Sequence, residues 1–128
     1  VKTIEFYEKS LKILLKIYGM KHPDTATINN NIGYVYDSQG DYAKALEFYK
    51  KSLNIRLEIF GDKHPDLATS YSNIGNIYYF QKYYGKALEC YEKALNINSK
   101  LLDNEHRDVI GIKESIEIVK RKLGNNGF

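Results

Sequence analysis

Three histidines recur at a fixed interval, His22, His64 and His106, each 42 residues from the next. Imidazole is the commonest metal ligand and a ready proton shuttle, so the pattern first raises a metal or acid–base site. A shared ion would need all three within bonds of about 2 Å. One histidine per regular interval instead implies one per structural repeat, and packed helices stand about 8–10 Å apart, so these three should not share a metal. His106-Arg107-Asp108 has the letters of a phosphoryl-transfer loop. That loop also needs a magnesium-binding asparagine five residues on, where Lys113 stands, and a glycine-rich phosphate loop that this chain lacks. Cys90 is the single cysteine, without a CxxC partner and flanked by Glu89 and Tyr91. Thiol activation needs a nearby cation or helix N-terminus, so Cys90 reads as a small packing residue. The basic end, Lys113, Lys120, Arg121 and Lys122, could touch phosphate but reads as the solvated face of a terminal helix. No catalytic residue, metal ligand or cofactor site is predicted, and the chain reads as a non-enzyme.

What remains is aromatic and amide chemistry. IYYFQKYYGKALECY, residues 77–91, holds five of the twelve tyrosines and one of the five phenylalanines, enough for either a stacking site or a core. Which of these it is depends on the elements that carry the rings. The composition, 43% hydrophobic and 27% charged, is that of a chain that folds. No apolar run of 18 residues or secretory leader is visible, and one cysteine without any Asn-x-Ser/Thr acceptor points to an intracellular, cytoplasmic location. A net charge of +3 is compatible with nucleic acid without requiring it.

Laid over itself at an offset of 42, the chain matches: residues 22–63 and 64–105 agree at 20 of 42 positions, and residues 1–21 match 43–63 at 12 of 21. The organisation is a half repeat (1–21), two repeats (22–63, 64–105) and a diverging segment (106–128), one array over 1–128. A period of this length marks a stack of supersecondary units, each burying its apolar face against its neighbours. Ile32, Val35 and Tyr36, then Ala45, Leu46, Tyr49 and Leu53, have helical spacing, and the short turns SQGDY and FQKYY predict antiparallel pairs. His-Pro-Asp at 22 and 64 is a start signal, with proline preset for the first turn and an acid at the positive end of the helix dipole. Gly19 and Gly61 stand where left-handed helix ends are required. Helices are predicted over about 2–18, 42–60 and 84–102, and over about 24–39, 66–81 and 107–123, giving an all-α solenoid of about six helices.

The pattern Tyr71, Ile74, Gly75 and Tyr78, then Ala87, Tyr91 and Ala94, with Asn29, Ile32, Gly33 and Tyr36, then Ala45, Tyr49 and Ser52 one unit earlier, resembles the tetratricopeptide repeat (TPR). The period of 42, with NNIG or SNIG and the KALE helix, is similar to the kinesin-light-chain type of that repeat. Departures are Asn29 at a position where the pattern has a large apolar residue, and Lys113 and Glu117 in the last segment, which reads as a capping helix or a diverged repeat. By the resemblance Tyr78, Tyr84 and Tyr91 are core.

Counting from Ala68 as position 1, positions 2, 5, 9, 12 and 13 lie opposite the helix face that packs on its partner. The resemblance implies that this face lines a concave groove for extended peptides. It gathers Thr27, Asn30, Tyr34, Asp37 and Ser38, then Thr69, Ser72, Asn76, Tyr79 and Phe80. Asparagines could hold a peptide backbone and aromatics could form side-chain pockets. Phe80 could equally tuck between repeats, and Asn31 and Asn73 are either repeat-to-repeat hydrogen bonders or ligand contacts.

The expected function is a protein-interaction scaffold that binds a partner's peptide segment. A self-assembly module of a larger protein and a nucleic-acid-binding repeat are the alternatives, the latter disfavoured because the face holds Asp37 and no base. The opening helix lacks its usual mate, so Ile4, Tyr7 and Leu11 are expected to be uncovered and to promote self-association, as in a fragment of a longer array.

Overall fold

The computed structural model describes residues 2–19 and 21–126. They form α1 (Lys2–Tyr18), α2 (Pro23–Ser38), α3 (Tyr42–Phe60), α4 (Pro65–Phe80), α5 (Tyr84–Leu101) and α6 (Arg107–Asn126), with no strand among them. Each boundary lies within a few residues of its expected place. Two compact units result, Val1–Gly61 with α1 to α3 and Asp62–Phe128 with α4 to α6.

The helix starts are built by histidine. His22, His64 and His106 each accept the backbone N–H of the aspartate two residues on, through Nδ1, at 3.0, 3.1 and 3.1 Å. An N-terminal turn leaves donors with no partner inside the helix, and the imidazole satisfies one of them. The third copy keeps this cap although Arg107 replaces proline, which is why α6 starts in register. At the other end Gly61 closes α3 at φ +73°, where a Cβ would be strained.

Within each unit one contact sets how closely the helices pair. Tyr49, 1% exposed on α3, lies flat under Gly33 of α2, and Tyr91, 4% exposed on α5, under Gly75 of α4. A Cβ on Gly33 would stand 2.7 Å from Cδ1 of Tyr49, and one on Gly75 would stand 2.9 Å from Cε1 of Tyr91. Around these rings Ile32, Ala26 and Ala45 fill the first unit, and Leu67, Ile74, Ile77, Ala87 and Ala94 the second. Tyr78 and Tyr84, expected in the core, are half-buried. In α6 the buried stripe is Val109, Ile112, Ile116 and Val119, and Lys113 and Glu117 face outward.

The cover of α1 differs from the expectation. Ile4 is buried and Tyr7 and Leu11 are half-buried, because that face packs toward α2. The large hydrophobic side chains of α1 left more than half exposed are instead Phe6, Ile13, Ile17 and Tyr18.

Replacing Gly33 or Gly75 with alanine gains about 1 kcal/mol of helix propensity but forces a buried ring to move, which costs about 1–3 kcal/mol. We expect net destabilisation in urea unfolding for both, whereas Gly111→Ala, with nothing within 4 Å of its Cβ, should stabilise. Equal effects at Gly75 and Gly111 would remove the close contact as the cause.

Candidate functional site

The ring that packs against each glycine carries its hydroxyl to a polar side chain of the same neighbouring helix. Tyr49 donates to Oδ2 of Asp37 at 3.3 Å, and Tyr91 donates to Oδ1 of Asn76. Both acceptors belong to the helix face predicted to bind ligand. With Oδ1 engaged, the amide N–H groups of Asn76 are its remaining donors.

In the second unit this face opens into a cavity of about 400 Å³ lined by α4, α5 and α6. Thr69, Ser72 and Asn76 line it, with Asn73 beside them, Tyr91 and Asn98 from α5, and Arg107, Asp108, Gly111 and Ser115 from α6. Hydroxyl, amide, carboxylate and guanidinium groups thus converge on a space large enough for a few residues of extended chain. Tyr79 and Phe80 do not line it. They sit at the C-terminal end of α4, where Tyr79 is half-buried with its ring 5.7 Å from Tyr84 and 5.9 Å from Phe80, and Phe80 is 51% exposed. The aromatic stretch therefore divides into a buried Tyr91, half-buried Tyr78, Tyr79 and Tyr84, and exposed Phe80 and Tyr83.

In the first unit Thr27 is exposed and its hydroxyl donates to the Pro23 carbonyl at 3.1 Å. Tyr34 is 64% exposed, Asn30 and Asp37 are half-buried, and Ser38 ends α2 exposed. Burial raises the Asp37 carboxyl above its usual range, against the opposing effect of the Tyr49 hydrogen bond. Asn31 and Asn73 are both half-buried.

The α6 contributors were missed because that segment reads as a cap. Gly111 occupies position 2 of the third copy, so extending the same helical wheel by another 42 residues would have found it, whereas Ser115, at position 6, is outside the positions of that wheel face. Among the described residues no group of three or more His, Cys, Asp or Glu side chains could hold a metal. Cys90 is half-buried against α4, its Cβ 3.2 Å from where a Gly75 Cβ would stand.

The sequence profile of the tetratricopeptide repeat matches residues 2–58 and 27–100. The chain belongs to the tetratricopeptide repeat family. Over 94% of its length it is similar to the crystal structure of BtubC (BKLC) from P. vanneervenii, with a TM-score of 0.87 and 25% identity, covering 48% of that chain. The nearly identical TPR-like repeats of a kinesin light chain candidate from Podosopora anserina also match 94% of it, with a TM-score of 0.84 and 20% identity, covering 57% of that chain. The chain thus spans about half the length of these solved structures. No curated protein matches the sequence. The fold is an all-α TPR solenoid of the kinesin-light-chain-like type, the fold of a protein–protein interaction scaffold. No helix among the described residues is long and apolar enough to cross a membrane.

Burial, with smaller effects from Tyr79 and Cys90, pushes the Tyr91 hydroxyl up to about 12. An unfolded tyrosine ionises near pH 10, so the folded state holds this proton more tightly. The resulting stability is intact below about pH 10 and is lost as pH rises toward 12. Urea unfolding between pH 9 and 11.5 should show a steeper decline for the native chain than for Tyr91→Phe. Parallel declines would mean that the hydroxyl does not depend on folding for its proton.

Proposed function

We propose that this TPR chain is a non-enzymatic scaffold that binds an extended peptide segment of a partner protein along the helix face containing Thr69, Ser72 and Asn76. The observation that supports it is the cavity between α4 and α6, where these three side chains meet Asn73 and Ser115. Alternating donors and acceptors suit a peptide backbone, whose own N–H and C=O groups alternate. The Tyr91 bond holds Asn76 in place before a ligand arrives, which lowers the entropy cost of binding. Arg107 and Asp108 bring one charge of each sign, so net charge does not select the ligand, and a nucleic-acid backbone finds no excess of base there. In the first unit Thr27, Asn30, Tyr34, Asp37 and Ser38 of α2 offer similar chemistry, and Tyr79 and Phe80 offer apolar contact at the end of α4.

Panning a displayed library of random dodecamer peptides on the chain tests this reading. Selected peptides should lose about tenfold or more in affinity to Asn76→Ala, as loss of paired buried hydrogen bonds implies, with helicity unchanged. Peptides that bind native and Asn76→Ala chains equally would move the site elsewhere.

Phe6, Ile13 and Ile17 favour a second reading, self-association through α1. Sedimentation should then show concentration-dependent size that Ile13→Lys abolishes. A monomer at every concentration removes this reading and leaves peptide binding untouched.

A further inference from the structure

The cavity lined by α4, α5 and α6 contains one buried group that nothing in the protein uses. Asn98 of α5 lines it and is 7% exposed. Its backbone carbonyl accepts the Leu102 N–H at 2.8 Å, but its side-chain amide makes no hydrogen bond among the described residues. Nor are the amide atoms sealed, as the Thr25 and Asn29 oxygens of the first unit are, and the space they open into is this cavity. Other polar groups of the lining are already committed in part: Asn76 accepts from Tyr91, and Ser115 donates to the Gly111 carbonyl at 3.1 Å. Arg107 and Asp108 stand side by side at the start of α6, so the lining carries no net charge. A buried amide with both its donor and its acceptor unused is costly until something pairs with it.

The chemistry of the complement follows from that pair of needs. A carboxylate only accepts, and an ammonium or guanidinium only donates, so each leaves half of the amide unpaired. A trans peptide group points its N–H and C=O in opposite directions, so one such group cannot meet both. A primary carboxamide presents an N–H and a C=O along one edge, and two of them edge to edge form a pair of parallel hydrogen bonds. We propose, resting on the peptide reading above, that this cavity takes the carboxamide side chain of a glutamine or asparagine in the partner's segment and pairs it with Asn98. The neutral lining suits this neutral group. Water can satisfy the same two atoms separately, whereas the carboxamide satisfies both with one group and releases that water.

Amide spectra of the full chain test the assignment with blocked single residues, the N-acetyl methylamides of glutamine and asparagine. The controls are methionine, which keeps the length of glutamine without its amide, and glutamate, which keeps its shape without the donors. Saturable binding of glutamine or asparagine at least about fivefold tighter than of either control is expected, with a shift of the Asn98 side-chain amide signal. Asn98→Leu should erase the preference, and the comparison on the native chain decides by itself should that variant not fold. Equal affinities for glutamine and methionine, tighter binding of glutamate, or no binding of any of the four would overturn the proposal. A blocked Gly-Gly-Gln-Gly-Gly peptide should bind at least as tightly as blocked glutamine, and its exclusion while glutamine binds would overturn the assignment to a partner's segment. Selected dodecamers that lose affinity to Asn76→Ala yet bind Asn98→Leu as well as the native chain would sink this inference alone and leave the peptide reading standing.

Discussion

The approach of a tyrosine ring to a glycine in the facing helix governs both the packing and the chemistry of this chain. Tyr49 under Gly33 and Tyr91 under Gly75 allow no Cβ between them, and that absence lets each helix pair close. Shape alone would be met by phenylalanine. The hydroxyl adds a second consequence, because it reaches a polar side chain close to the glycine on the same helix. There it meets Asp37 in one repeat and Asn76 in the other. The polar groups proposed to meet a ligand are thus fixed from below by the core, a second layer of support that surface side chains seldom have.

The two repeats use this support differently. The Tyr91 hydroxyl meets a neutral amide, whereas the Tyr49 hydroxyl meets a carboxylate whose proton affinity burial has raised. Asp37 opposes its own ionisation through burial and favours it through the bond to Tyr49, and burial is the larger effect. The amide has no such conflict. Equivalent tyrosines therefore meet a neutral amide in one unit and a titratable carboxyl in the other, a difference that 42-residue periodicity cannot reveal because Asp37 and Asn76 are not equivalent positions.

How far the sequence was legible follows from which interactions are local. Helix spans could be read because apolar spacing and glycine ends are written within a single helix. The histidine caps were harder: the recurrence of His22, His64 and His106 was plain, yet proline and aspartate beside them explained the helix start well enough that the Nδ1 bond went unnoticed. Thr69, Ser72 and Asn76 were legible from the helical wheel. Arg107, Asp108 and Ser115 were not, since their contribution depends on α6 packing against α5, and Lys113 and Glu117 disguise that helix as foreign to the pattern. Tyr79 and Phe80 were assigned by wheel angle alone, and the wheel carries no information on how far along the helix a cavity reaches.

The departure that sequence comparison marks most clearly, asparagine where the pattern asks for a large apolar residue, has a physical meaning only with coordinates in hand. A polar side chain in a core is tolerated when every polar atom finds a partner. Asn29 finds one for its donor, in the Thr25 carbonyl, and none within the protein for its acceptor. Thr25, one turn earlier, repeats the pattern at its hydroxyl, where the next repeat has Leu67, and Tyr71 stands at the place of Asn29. Two polar residues one turn apart on α2, both buried and both left incomplete, cost stability that a well-packed apolar side chain would not.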